Sequence, residues 1–170
     1  IVLGSVEDIR KHAKKSVNKY FVMRHGEAES NVKNITSSSY RDKVHITERG
    51  REEIKKSAAK LKGEKIDLIF SSDFVRTKET AKLAAEIVGL NENKIVFDER
   101  LREVNTGDLA GKPNDEYHNY FSSLEEKFTK RPPRGENLHD VKRRVMEFVY
   151  EIEEKYKNKK ILIVTHEYAA

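Results

Sequence analysis

The chain has 170 residues, of which 36% are apolar and 37% charged, a length that fits one domain with short appendages. It contains no Cys and no Trp, which excludes a disulfide scaffold, a thiolate metal site and a cysteine nucleophile. Its 34 basic and 29 acidic residues leave a net charge of +5, but the signs interleave, as in Glu52-Glu53-Ile54-Lys55-Lys56, the pattern of a solvated helix face rather than a nucleic-acid surface.

In chain order, Tyr20-Phe21-Val22-Met23 reads as a buried strand that runs into Arg24-His25-Gly26. Thr47 is placed to cap a helix running to 62, with Ile54, Ala58 and Leu61 on one face. A second strand covers 66–70. Asp73 is expected to cap the next helix, which carries Val75, Ala81, Ala84, Ala85 and Val88 and stops at Gly89. A third strand covers 95–97. Residues 114–130 read as helical but weakly patterned, closed by Pro132-Pro133. Asn137 opens a long helix with Val141, Val145, Phe148, Ile152 and Tyr156 along its inner stripe. The fourth strand, 161–164, ends in Thr165-His166. Ser37-Ser38-Ser39 reads as a mobile polar loop without a role.

Short apolar strands alternating with helices predict an α/β fold, a three-layer sandwich whose mostly parallel central sheet is covered by helices on both faces. No apolar run approaches the roughly 20 residues of a membrane span. No secretory signal is visible at Ile1-Val2-Leu3-Gly4, so a cytoplasmic location without a membrane partner is the expectation. The chain lacks an initiator Met and stops soon after His166, and so reads as an excised piece of a longer protein.

In open α/β sheets ligands bind outside the carboxyl ends of the strands. There this sequence puts His25 and His166, with Arg24 beside the first, Arg76 after the second strand and Glu103 after the third. Cations gathered around one acid suit a phosphoryl group better than a divalent metal, which prefers carboxylates or several histidines without competing arginines.

The segment from Phe21 to Glu27, followed by Asn31, resembles the signature of the histidine phosphatase superfamily, the phosphoglycerate mutase-like fold. Further similar segments follow in family order: Ile46 to Gly50, Ser71 to Ala81, Leu101-Arg102-Glu103 with Gly107 and Gly111, Gly135-Glu136-Asn137 with Asp140 and Arg144, and Val164-Thr165-His166. The resemblance covers about residues 20–166. It divides the chain into an extension, 1–18, and a phosphatase-like domain, 19–170, whose helix after the last strand is expected to be missing.

The resemblance implies a metal-independent phosphatase without a cofactor. His25 is then the nucleophile that becomes phosphohistidine, its imidazole kept neutral by the adjoining arginines. Arg24, Arg76, Asn31 and His166 hold phosphoryl oxygens, and Glu103 serves as acid and then base, so that the catalytic set is His25, Glu103 and His166. Ser72 and Thr165 support the loops. Glu136 caps or supports the adjoining helix, and Arg144 pairs within that layer. His45, His118 and His139 lie in polar surroundings and are expected at the surface. One departure stands out: Glu167 follows His166 where the family has Gly, which puts a carboxylate where it could crowd a phosphate pocket.

The expected partner is a phosphorylated small molecule or a phosphoprotein. A phosphoglycerate-type mutase is the rival inside the family. A mutase has to keep a bisphosphate, yet only 112–131 is available as a cap, offering Lys112, Lys127, Lys130 and Arg131. A non-catalytic phosphate-binding or structural domain is the rival outside it. Residues 2–9, Val-Leu-Gly-Ser-Val-Glu-Asp-Ile, also resemble a stretch of isoleucyl-tRNA synthetases. An inserted domain of such a synthetase is therefore a further expectation, and the one setting in which nucleic acid enters as a partner.

Overall fold

The computed structural model describes residues 16–39 and 41–170. Four strands form one sheet, β1 (Lys19–Arg24), β2 (Leu68–Ser71), β3 (Ile95–Phe97) and β4 (Lys160–Thr165), in the order β1-β4-β2-β3. Every neighbouring pair is parallel, with Lys19 opposite Lys160 and Arg24 opposite Thr165. The helices are α1 (Glu29–Val32), α2 (Glu48–Ala59), α3 (Val75–Val88), α4 (Asn114–Asn119), α5 (Glu126–Thr129) and α6 (Leu138–Lys155).

The central strand explains the layers. Side chains alternate across a sheet, so a strand buried on both faces needs a continuous apolar run. In β4, Leu162 and Val164 join Ile54 and Ala58 of α2 and Ala81, Ala84 and Ala85 of α3 on one face. Ile161 and Ile163 join Phe148 and Ile152 of α6 on the other. Burying each of these larger side chains stabilises the fold by about 2 kcal/mol. A third cluster joins Tyr117 and Phe121 to Val104, Val141 and Ala169, and so holds the 112–131 segment against the start of α6. Among the described residues no helix is long and apolar enough to cross a membrane.

The caps follow local chemistry. The Thr47 hydroxyl accepts from the Gly50 N–H at 3.0 Å. Asn137 accepts from the Asp140 N–H at 2.9 Å, and the Asp140 carboxylate accepts from the Asn137 N–H at 3.1 Å, a reciprocal capping box. Asp73 does not cap α3. Phe74 occupies that position without a side-chain bond, and the Asp73 carboxylate is drawn off by Arg102, whose Nε and Nη2 donate to it at 2.7 and 2.5 Å. A bidentate charged pair outcompetes a cap worth about 1 kcal/mol. The expected helix over 114–130 is two short ones, α4 and α5, separated by turns through Ser122 and Ser123.

Candidate active site

The strand order brings three chain ends together. Beyond β1 the His25 N–H donates to the Thr165 carbonyl at 3.1 Å, and beyond β2 the Ser72 N–H donates to the Val164 carbonyl at 3.0 Å. His25, His166 and Ser72 therefore leave neighbouring strands at the same edge. Gly26 permits the tight turn after His25. A Cβ at that position would meet the Gly50 carbonyl oxygen at 2.5 Å and Ile54 Cδ1 at 2.9 Å, so only glycine lets the start of α2 close on the loop.

Arg76, the second residue of α3 and buried, is the hub. Its Nε donates to His25 Nε2 at 3.2 Å and its Nη2 to His166 Nδ1 at 3.3 Å. Its Nη1 donates to Ser37 Oγ at 3.1 Å and its Nη2 to the Ser37 carbonyl at 2.8 Å. These bonds fix the tautomers. His25 Nδ1 donates to the Gly26 carbonyl at 2.8 Å, so its Nε2 carries the free lone pair. His166 accepts at Nδ1 and therefore donates from Nε2 to Ser72 Oγ at 2.9 Å.

The electrostatics keep both rings neutral. Burial first, and then the Arg76 charge, push the His25 imidazole down to about 3, against an opposing effect of the Gly26 carbonyl. His166, wholly buried, lies well below the ordinary histidine range for the same two reasons. The sequence expectation credited arginines alone, whereas desolvation is the larger cause. Burial also pushes the Arg76 guanidinium down to about 10.

Glu103 sits on a pinned loop. Arg144 donates to the carbonyls of Arg100 and Arg102 at 2.7 Å each and of Glu103 at 3.0 Å, and to the Glu136 carboxylate at 3.0 Å. Glu136 is thus a support and not a cap. The Glu103 carboxylate accepts from the N–H groups of Val104 at 2.9 Å and of Glu167 and Tyr168 at 3.1 Å each. Burial raises its pKa, and those three N–H groups oppose the rise. A carboxyl whose pKa is raised by burial in a pocket holds a proton more readily than an exposed one, the property a proton donor needs.

One cavity of about 130 Å³ is lined by Arg24, His25, Asn31, Arg76 and Glu103 together with Ser37, Tyr117, His118, Glu167 and Tyr168, among others. His166, expected to hold phosphoryl oxygens, is wholly buried against Arg76 and is not among the residues lining the cavity. Asn31 lines it while its Oδ1 accepts from the Ala28 N–H at 2.9 Å at the start of α1. Thr165 supports from behind, its hydroxyl donating to the Leu101 carbonyl at 2.8 Å.

One expectation needs correction. The Ser37–Ser39 stretch is not without a role, because Ser37 grips Arg76 from both its hydroxyl and its carbonyl. Ser38 Oγ lies 2.8 Å from Thr106 Oγ1 and ties the same loop to the 3-10 turn beyond Glu103. His118 is exposed, as expected, at a position where it also lines the cavity, with Lys127 Nζ donating to its Nδ1 at 3.0 Å. The sequence signal for Ser37 was only that a polar loop follows α1; for His118 it was its neighbour Tyr117. Among the described residues no group of three or more His, Cys, Asp or Glu side chains is placed to hold a metal.

An all-parallel sheet with buried histidines at adjoining strand ends around a shared arginine defines the α/β architecture of the chain. Residues 20–170 match the family model described as histidine phosphatase superfamily (branch 1), and the chain belongs to that superfamily. A protein of Mesorhizobium japonicum called 2,3-bisphosphoglycerate-dependent phosphoglycerate mutase is 34% identical over 73% of this chain and 63% of its own length. One of the same name from Parvibaculum lavamentivorans is 30% identical over 88% and 74%. The chain spans less than two thirds of the first of these and of several further relatives of the same name. Among solved structures, Bacillus stearothermophilus YhfR superposes with a TM-score of 0.78 at 28% identity, covering 89% of this chain and 75% of its own. A mycobacterial glucosyl-3-phosphoglycerate phosphatase, in complex with VO3, gives 0.72 at 26% identity, covering 87% and 74%. The likeness of residues 2–9 to isoleucyl-tRNA synthetases lies outside the described residues, and these relatives give an insertion in such an enzyme no support.

Proposed function

We propose that the chain is a metal-independent phosphatase that hydrolyses phosphomonoesters through a phosphohistidine on His25. The observation that carries this is the fixed tautomer: Nδ1 is held by the Gly26 carbonyl, and a neutral Nε2 faces Arg76. In the first step the Nε2 lone pair forms a bond to phosphorus and the ester P–O bond breaks. The Glu103 carboxyl gives its proton to the departing oxygen. Arg24 and Arg76 take the charge on the phosphoryl oxygens, and a planar guanidinium meets two of them at once. In the second step the Glu103 carboxylate takes a proton from water, the water oxygen attacks phosphorus, and the N–P bond electrons return to Nε2. His166 acts through Arg76, whose orientation it fixes.

Hydrolysis is favoured over a mutase by the state of the four cap cations. Lys112 pairs with Glu116 at 3.4 Å, Lys130 with Glu126 at 3.5 Å and Arg131 with Asp140 at 2.6 Å, while Lys127 is taken by His118. None of the four lines the cavity. The mutase reading rests on the names of the curated relatives.

Phosphate release from p-nitrophenyl phosphate separates the readings. The wild type should release phosphate, keep doing so in excess EDTA, and yield an acid-labile, alkali-stable phosphoenzyme on quenching. His25→Ala should do neither while keeping its circular dichroism. Activity lost to EDTA and restored by Mg²⁺ or Zn²⁺ would mean that a metal carries the charge. Interconversion of phosphoglycerates without net phosphate release would establish the mutase.

A further inference from the structure

The cavity is chemically divided. His25 and Arg76, which line it, are buried, whereas His118 and Glu167, on the part of the wall that also carries Tyr117 and Tyr168, are exposed; that part is called the outer half below. Among the described residues lining it, the only Arg or Lys side chains are Arg24 and Arg76. Arg76 is turned to the histidines. Arg24 points outward, its Nη2 lying 3.1 Å from Glu167 Oε2.

The outer wall uses its one nearby ammonium internally. Lys127 is buried, and its Nζ donates to His118 Nδ1 and to the Tyr168 hydroxyl at 3.0 Å each. The same Nζ lies 5.5 Å from the centre of the Tyr117 ring. Tyr117 packs edge-on against Phe121, His118 and Tyr168, at 5.2, 5.8 and 6.2 Å between ring centres. What faces the leaving group besides the Glu103 carboxyl is therefore aromatic surface, hydroxyl and imidazole N–H groups, and the Glu167 carboxylate.

We propose that Glu167 is a specificity-determining residue, and that the outer half of the cavity is a leaving-group subsite for an uncharged hydroxylated or cationic group that rejects a carboxylate or a second phosphate. This rests on the phosphatase reading. An arriving phosphoryl dianion competes with Glu167 for Arg24. The displaced carboxylate then faces the leaving group, where it accepts from hydroxyls and repels anions. Both partners of the ion pair are more than half exposed, so solvent moderates the repulsion to a factor on the order of ten.

Glycerol 3-phosphate and 3-phosphoglycerate test this, since they differ only by a hydroxymethyl group against a carboxylate. The wild type should prefer glycerol 3-phosphate in kcat/KM by roughly tenfold, and Glu167→Gln should shift that ratio by about tenfold toward 3-phosphoglycerate. Glu167→Lys should shift it further. The ratio is the readout because freeing Arg24 changes the binding of both compounds. A wild-type ratio near one, or a ratio that Glu167→Gln leaves unchanged, overturns the inference. If neither compound turns over, calorimetric titration of the wild-type and Glu167→Gln proteins reads the same ratio. A preference in binding without hydrolysis overturns the phosphatase reading alone. Hydrolysis without preference overturns this inference alone, and no binding of either at millimolar concentration overturns both.

Discussion

Arg76 donates its Nε–H to His25 Nε2 at 3.2 Å, so the lone pair assigned to attack phosphorus is covered by a guanidinium until a phosphoryl group draws that guanidinium away. The same contact adds to burial in keeping the imidazole unprotonated. The residues proposed as nucleophile and oxyanion holder are thus one hydrogen-bonded unit.

Arg76→Lys should therefore be a severe change although it keeps the charge. A single ammonium cannot reach His25, His166 and Ser37 together, nor can it fork onto two phosphoryl oxygens. We expect kcat/KM to fall by at least about a hundredfold, most of it in kcat. A loss confined to KM would show that Arg76 contributes uniform binding only.

His25 also makes stability depend on pH. Its pKa is depressed from the ordinary 6.5 to about 3 in the folded state, so its contribution is complete above pH 6.5. That contribution is lost as pH falls toward 3, where the unfolded chain binds a proton that the folded chain refuses. At about pH 5 the loss amounts to about 2 kcal/mol. Denaturation curves for the wild type and His25→Gln between pH 7 and 5 should diverge by that amount, with the wild type losing more. Parallel curves would mean that the imidazole titrates normally in the fold.

Ser37→Ala should weaken catalysis without unfolding the protein. It removes the hydroxyl that accepts from Arg76 Nη1 but leaves the carbonyl that accepts from Nη2. One hydrogen bond to a charged group contributes about 2 kcal/mol, so kcat/KM should drop by about ten- to thirtyfold with little change in the denaturation midpoint. A midpoint shift with intact kinetics would make Ser37 a purely structural tie.

The strands and the long helices were legible because each carries its own periodicity. Ile161 to Val164 reads as a doubly covered strand, and Asn137 ahead of the stripe from Val141 to Tyr156 reads as a helix start, from residues close to one another in the chain. What escaped depended on partners far along the chain. Asp73 has the chemistry of a cap and is diverted to Arg102, 29 residues on. Ser37 looks like loop filler until Arg76, 39 residues away, is brought to it. His118 gains its place through Lys127. The Glu167 anomaly was visible as a departure from the family pattern, but not its ion pair with Arg24, because that contact needs β1 and β4 to be neighbours.

The pairing of β1 with β4 has a kinetic consequence. Six registered residue pairs, followed by the bond from the His25 N–H to the Thr165 carbonyl, bind the strand that carries one histidine to the strand that carries the other. Leu162 and Val164, at the middle of that ladder, are wholly buried between the layers. The amides of this ladder should therefore exchange with solvent deuterium only when the sheet itself opens, far more slowly than those of α4 and α5. Fraying of the 112–131 segment can expose the outer cavity many times over while the two histidines stay in register.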